Sequence, residues 1–264
     1  STAGAGAWAS SDEINTARRS MAGTGTTTAA LIAGGIGGTT ATETYNGSSW
    51  TTSPGSLNTG RQYLKGDGSS TAAIVFGGVT PVTGATETFN GTSWSEKADL
   101  NQARQKVGNS TLGSTTASLC FGGSTAPETT SYALTELWDG TSWSEKADLN
   151  QARAGIGGAG TSTAALAIAG YGPGQSPHYA LVESWNGTSW TEQANVNTAG
   201  GEFGSAGSTT SALIYGGQRP SAGKLTEQWN GTSWTEVADL AANNQGCGSS
   251  GVSGSSALRI SGYV

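Results

Sequence analysis

Few side chains in this sequence can do chemistry. It holds one histidine, His178, and two cysteines, Cys120 and Cys247, against 18 Asp plus Glu and 12 Lys plus Arg. A copper or zinc centre needs several His, Cys or carboxylate ligands converging on one point, so no metal and no cofactor is expected. Nucleophilic catalysis needs a base within hydrogen-bond reach of the nucleophile. A lone histidine supplies no Ser-His-Asp or Cys-His arrangement, so no catalytic residue is assigned and the chain is expected not to be an enzyme. What recurs instead is an acid and a base: Glu43, Glu87, Glu136, Glu183 and Glu227, with Arg18, Arg61, Arg104 and Arg153. Four guanidinium groups around a common centre would bind an anion. The same groups paired with the carboxylates would lock a frame. Both readings are open from the sequence.

These residues sit in a repeat, and repeats decide architecture. The fourteen residues GTSWSEKADLNQAR occur unchanged at 91–104 and at 140–153. An aromatic, Asn-Gly or Asp-Gly, two hydroxyl residues and Trp end at Trp50, Trp94, Trp143, Trp190 and Trp234, with spacings of 44, 49, 47 and 44 residues. An apolar stretch closes on a glycine pair or Gly-Tyr six times, as in LIAGG and IVFGG. Trp8 lies ten residues before Arg18, as Trp94 lies ten before Arg104, and so is the sixth Trp anchor. The last unit must then be assembled from both chain ends. The expected fold is an all-β, six-bladed β-propeller of four-stranded antiparallel blades, its ring closed by N- and C-terminal strands sharing the last blade. Radial repetition of this kind removes exposed sheet edges. The chain is expected to be a single domain, 1–264, with blades at 11–52, 53–96, 97–145, 146–192, 193–236, and 237–264 plus 1–10.

Within a unit, strand A follows the Arg and strand B ends at the glycine pair. Strand C carries the Glu, and strand D begins at the Trp. Asn-Gly between C and D is a strong hairpin signal, because both residues tolerate positive φ. The Trp, large and present once per unit, is expected to pack on an adjacent blade.

These features together resemble the kelch repeat: Gly77-Gly78, Glu87, Phe89, Trp94 and Arg104 stand where that repeat has its glycine pair, Glu-x-aromatic strand, Trp and Arg. The likeness covers almost the whole chain. Compact NGTSW versions look similar to kelch-like repeats of bacterial and phage surface or virion proteins. Gly200 and Asn244 depart from the pattern by replacing the Arg, and the last unit lacks the Glu–aromatic strand. Galactose-oxidase-type propellers share such repeats, but their copper ligands have no counterparts here. DGTSW at Asp139 is similar to the Asp-box of sialidases, and the hairpin turn is sufficient reason for it.

The net charge is −6, which offers no basic field for nucleic acid. No apolar run is long enough to insert in a membrane, and STAGAGAW shows no apolar signal core. Cys120 and Cys247 fall at core positions in opposite units, so two free buried thiols are expected. Sequons occur at Asn46, Asn90, Asn109, Asn186 and Asn230. Specificity is expected on the B–C loops, which vary while the rest repeats. The two longest begin at Ser124 and Gly172 and hold Pro127, Tyr132, Gln175, His178 and Tyr179. Gln218 and Arg219 follow a later glycine pair and join them as ligand candidates. The expected function is non-catalytic binding or assembly by an extracellular, cell-surface or virion component. Its partner would be a protein or a cell-surface glycan, and the molecule itself a homo-oligomer or part of a larger assembly. The alternative is a multivalent propeller lectin.

Overall fold

The computed structural model of the protein describes residues 2–4, 7–219 and 223–261. The chain opens with β1 (Thr2–Gly4) and β2 (Ala7–Ala9). The first contiguous blade is β3 (Ala22–Gly25), β4 (Ala30–Ala33), β5 (Thr42–Tyr45) and β6 (Trp50–Thr52). The second is β7 (Lys65–Gly68), β8 (Ala73–Phe76), β9 (Thr86–Phe89) and β10 (Trp94–Lys97). The third is β11 (Gly108–Asn109), β12 (Ser118–Phe121), β13 (Thr135–Trp138) and β14 (Trp143–Lys146). The fourth is β15 (Gly157–Thr161), β16 (Ala164–Tyr171), β17 (His178–Trp185) and β18 (Trp190–Gln193). The fifth is β19 (Gly204–Gly207), β20 (Ala212–Tyr215), β21 (Thr226–Trp229) and β22 (Trp234–Val237), and the chain closes with β23 (Gly248–Ser253) and β24 (Ser256–Ile260). Each blade is a four-stranded antiparallel sheet, and the molecule is an all-β propeller.

The expectation of six like blades is corrected to five. Five sheets are cut from contiguous chain and share one design. The remaining sheet is a composite, ordered β2-β1-β24-β23, with two strands from each chain end. Its inner strand β23 packs between β19 and β3, but the frame of the other five is missing. β1 carries no Glu, β1 and β2 are not joined by Asn-Gly, and Asn244 replaces the Arg. Short end strands cannot repeat a blade whose lock needs a carboxylate on strand C.

The C–D turn also differs from expectation. Tyr45 pairs with Trp50 across a four-residue loop, and only Gly47 has positive φ, 96°. Asn46 works through its side chain: Oδ1 accepts the N–H groups of Ser48 and Ser49 at 3.0 and 2.9 Å. This Asx turn satisfies two donors that a sharp loop leaves free. Asn90, Asn186, Asn230 and Asp139 do the same.

Blades are glued by the strand-D Trp. Burying about 200 Å² of indole contributes roughly 5 kcal/mol at about 25 cal/mol/Å², before entropy is counted. The indole N–H fixes the register by donating to a Thr on the preceding blade: Trp94 to Thr42, Trp143 to Thr86 and Trp190 to Thr135, at 2.9–3.0 Å. Trp8 reaches Thr226 at 3.3 Å. Trp234 departs from this pattern. Val182 stands where the Thr should be, and the buried Trp234 Nε1 has no partner. Between the second and third blades a further lock appears. Asp67, fully buried, accepts hydrogen bonds from Asn109, Ser110 and Ser118. Burial raises its carboxyl above the usual value, and those hydrogen bonds oppose the rise. Both cysteines are free and buried.

Candidate functional site

The repeated acid and base meet inside each contiguous blade. Arg18 Nη1 lies 2.5 Å from Glu43 Oε1, and Arg61 Nη1 lies 2.5 Å from Glu87 Oε1. Arg104 pairs with Glu136 and Arg153 with Glu183 in the same way. The second carboxylate oxygen takes a backbone N–H from the Asn of the LNxAR motif: Asn15, Asn58, Asn101 and Asn150. In the fifth blade Gly200 occupies the Arg position, and Arg219 supplies the missing cation from the B–C loop, 2.8 Å from Glu227. These guanidinium groups are buried and engaged within their blades. They do not gather at the axis as an anion site, so the repeated letters build the frame.

The axis is lined by the residues two places after the Arg position: Ser20, Tyr63, Lys106, Gly155, Glu202 and Gly246. All six adopt left-handed backbone, with φ between 54° and 65°. The conformation has a cause. Five of them turn the N–H to the carbonyl of the counterpart on the preceding blade: Tyr63 to Ser20 at 2.7 Å, Lys106 to Tyr63 at 3.1 Å, Gly155 to Lys106 at 2.8 Å, Glu202 to Gly155 at 2.7 Å and Ser20 to Gly246 at 2.7 Å. A belt of backbone hydrogen bonds thus runs round the axis. Such a φ costs a non-glycine residue about 1–2 kcal/mol, yet four of the six positions carry side chains.

Those side chains form a charged, aromatic cluster. Lys106, 5% exposed, is held by Glu202 at 2.6 Å and Glu128 at 2.7 Å. Its ammonium lies 4.5 Å from the ring centre of Tyr63 and 5.5 Å from that of Tyr171, the arrangement of a cation–π cage. Tyr171 OH donates to Glu202 at 2.7 Å. Burial alone would lower the Lys106 ammonium's pKa; Glu202 and Glu128 outweigh it and hold the value above that of an ordinary lysine. Beneath lies an axial cavity of about 40 Å³, lined by Tyr63, Lys65, Lys106, Glu202 and Cys247 among others.

The two long loops reach this cluster. Glu128 lies on the loop of Pro127, and the loop of the fourth blade grips it: Gly174 N–H donates to Glu128 O at 2.7 Å and Gln175 Nε2 to Glu128 Oε1 at 3.5 Å. Glu128 Oε2 is buried without a partner, as is His178 Nε2. The His178 ring meets Tyr171 edge-on at 5.9 Å. Of the residues proposed from sequence, Gln175, His178 and the segment bearing the exposed Pro127 converge on the mouth. Tyr132 and Tyr179 are half-buried, and each bonds the start of the next blade through its carbonyl, to Arg153 and Gly200. Gln218 bridges to Gly201, while Arg219 is consumed by Glu227 and stacks on Phe203. Sequence reasoning missed Tyr63, Lys65, Lys106, Glu128, Tyr171 and Glu202. A signal was present: two residues past the Arg position the repeat reads Ser, Tyr, Lys, Gly, Glu and Gly, while the position after it is apolar in every unit.

No protein-family model matches the chain, and no curated protein sequence does. Among solved structures, that of YjhT is similar, with a TM-score of 0.71 at 14% sequence identity, covering 94% of this chain and 95% of that one. At that identity the likeness concerns the fold alone.

Proposed function

We propose that the protein is a non-catalytic binding or assembly module whose partner docks on the B–C loop face, centred on the axial mouth. The observation that carries this is the strained ring. Gly155 and Gly246 show that glycine fits the belt, yet Ser20, Tyr63, Lys106 and Glu202 keep side chains there. Strain retained at positions where glycine is tolerated points to use. Paired charges, two aromatic faces and the unpartnered Glu128 Oε2 and His178 Nε2 give that locus the polar anchors of a recognition site. We take the repeats to be of kelch type, on the pattern of Gly77-Gly78, Glu87, Phe89, Trp94 and Arg104. A surface or virion setting fits a rigid frame with one variable face.

The inter-blade grooves are less suited to a ligand, because the strand-D Trp side chains of the five contiguous blades are 5–8% exposed. The test screens a glycan array and a displayed random-peptide library in parallel, against the wild type and the neutral pair Lys106→Met/Glu202→Gln. Binders that the wild type captures and the folded variant loses support the proposal. Binders held equally by both contradict it.

A further inference from the structure

Lys65 is the long side chain at a place built for small ones. Strand pairing aligns it, opposite Phe76, with Ala22, Gly108, Gly157, Gly204 and Gly248 on the other inner strands. At two of these positions the crowding is severe: a Cβ at Gly108 or Gly204 would lie 2.1 Å from the ring of Phe121 or Tyr215, whereas one at Gly157 or Gly248 would meet nothing nearer than 3.5 or 3.4 Å. Ordering a lysine costs up to about 2 kcal/mol in rotamer freedom, and burying its charge costs more. The half-buried side chain lines the axial cavity and forms no ion pair among the described residues. Lys106, which lines the same cavity, takes Glu128 and Glu202 instead. Burial lowers the Lys65 pKa, with Cys247, Glu202 and Asp67 offsetting only part of the effect.

We propose that Lys65 is a covalent capture site for small carbonyl compounds. Its amine would attack the carbonyl carbon of an aldehyde, the C=O π pair passing to oxygen. The carbinolamine then loses water, with both former N–H protons leaving on that oxygen, to give an imine. An aldehyde rather than carbon dioxide suits the surroundings. A carbamate would add a negative charge beside Glu202, whereas an imine is neutral or, once protonated, a cation that Glu202 stabilises. The cavity sets the size limit. At about 40 Å³, it favours a small aliphatic aldehyde over an aromatic one. The site shares the axial mouth with the proposed docking surface but does not depend on it, since its readout is a covalent mass on one residue.

The test is reductive alkylation of the native protein with acetaldehyde and cyanoborohydride at pH 7, followed by peptide mapping. The other lysines are Lys97, Lys106, Lys146 and Lys224. Burial favours the neutral amine of Lys65, so Lys65 should be ethylated faster than the exposed Lys97, Lys146 and Lys224. Lys65→Arg should abolish the fast phase. Benzaldehyde should spare Lys65 while modifying the exposed lysines, a result that needs no variant. Ethylation of Lys65 no faster than Lys97, or its modification by benzaldehyde at the same rate, would overturn the proposal.

Discussion

At the scale of single residues, the molecule contains its own controls. Four Trp indoles donate to a Thr on the neighbouring blade, and Trp234 cannot because Val182 replaces the Thr. A buried donor without a partner forfeits about 1 kcal/mol or more. Val182→Thr should therefore raise unfolding stability by about 1 kcal/mol in urea denaturation, despite placing a hydroxyl in an apolar cluster. The belt offers a second case. Ser20 sits at φ 59°, where relief of about 1–2 kcal/mol is set against about 0.5–1 kcal/mol of extra unfolded-state entropy for glycine. Ser20→Gly should stabilise by up to about 1 kcal/mol, read as a rise in Tm. Unchanged or lower stability would mean that the serine is kept for the fold.

At the scale of elements, the C–D turn explains both what was legible and what was not. Asn-Gly, or Asp-Gly at Asp139, marked every C–D hairpin of the contiguous blades, yet the expected positive φ at Asn was replaced by an Asx turn. Sequence does not reveal that a side chain will satisfy the loop's N–H groups in place of the backbone. Asp139 shows that a carboxylate serves equally, and hydrogen bonds from Thr141 and Ser142 hold its pKa at about 2, below the usual 3.8. The sign follows from linkage. A depressed folded pKa contributes stability that is present above about 3.8 and is lost as pH falls through about 2. Asn186→Asp should then fold normally at pH 7 and show a steeper loss of stability between those two values, measured by thermal melts across the acid range. Loss of stability already at pH 7 would show that the turn requires the amide.

At the scale of the whole molecule, periodicity identified the propeller, the Trp glue and the recurring Arg and Glu, because each recurs at fixed spacing, and the structure then paired the Arg with the Glu. It overstated the equivalence of the chain ends, where β1 brings no Glu and Asn244 no guanidinium. It also pointed to the loops as the site but not to their target. Lys106 and Glu202 are 96 positions apart, and Glu128 reaches Lys106 across a different loop. Proximity around an axis leaves no mark along a chain except the variability two residues beyond each Arg. If function resides at that ring, one molecule has one site; if it resides in the repeated frame, it has several equal ones. The most direct measurement is calorimetric stoichiometry of the best binder from the parallel glycan and peptide screens, on the wild type and on Lys106→Met/Glu202→Gln. The account predicts one site per chain and an affinity loss of about a hundredfold in the variant, the range of 2–5 kcal/mol for disrupting buried charged contacts. Five equivalent sites, or full affinity in the folded variant, would contradict it.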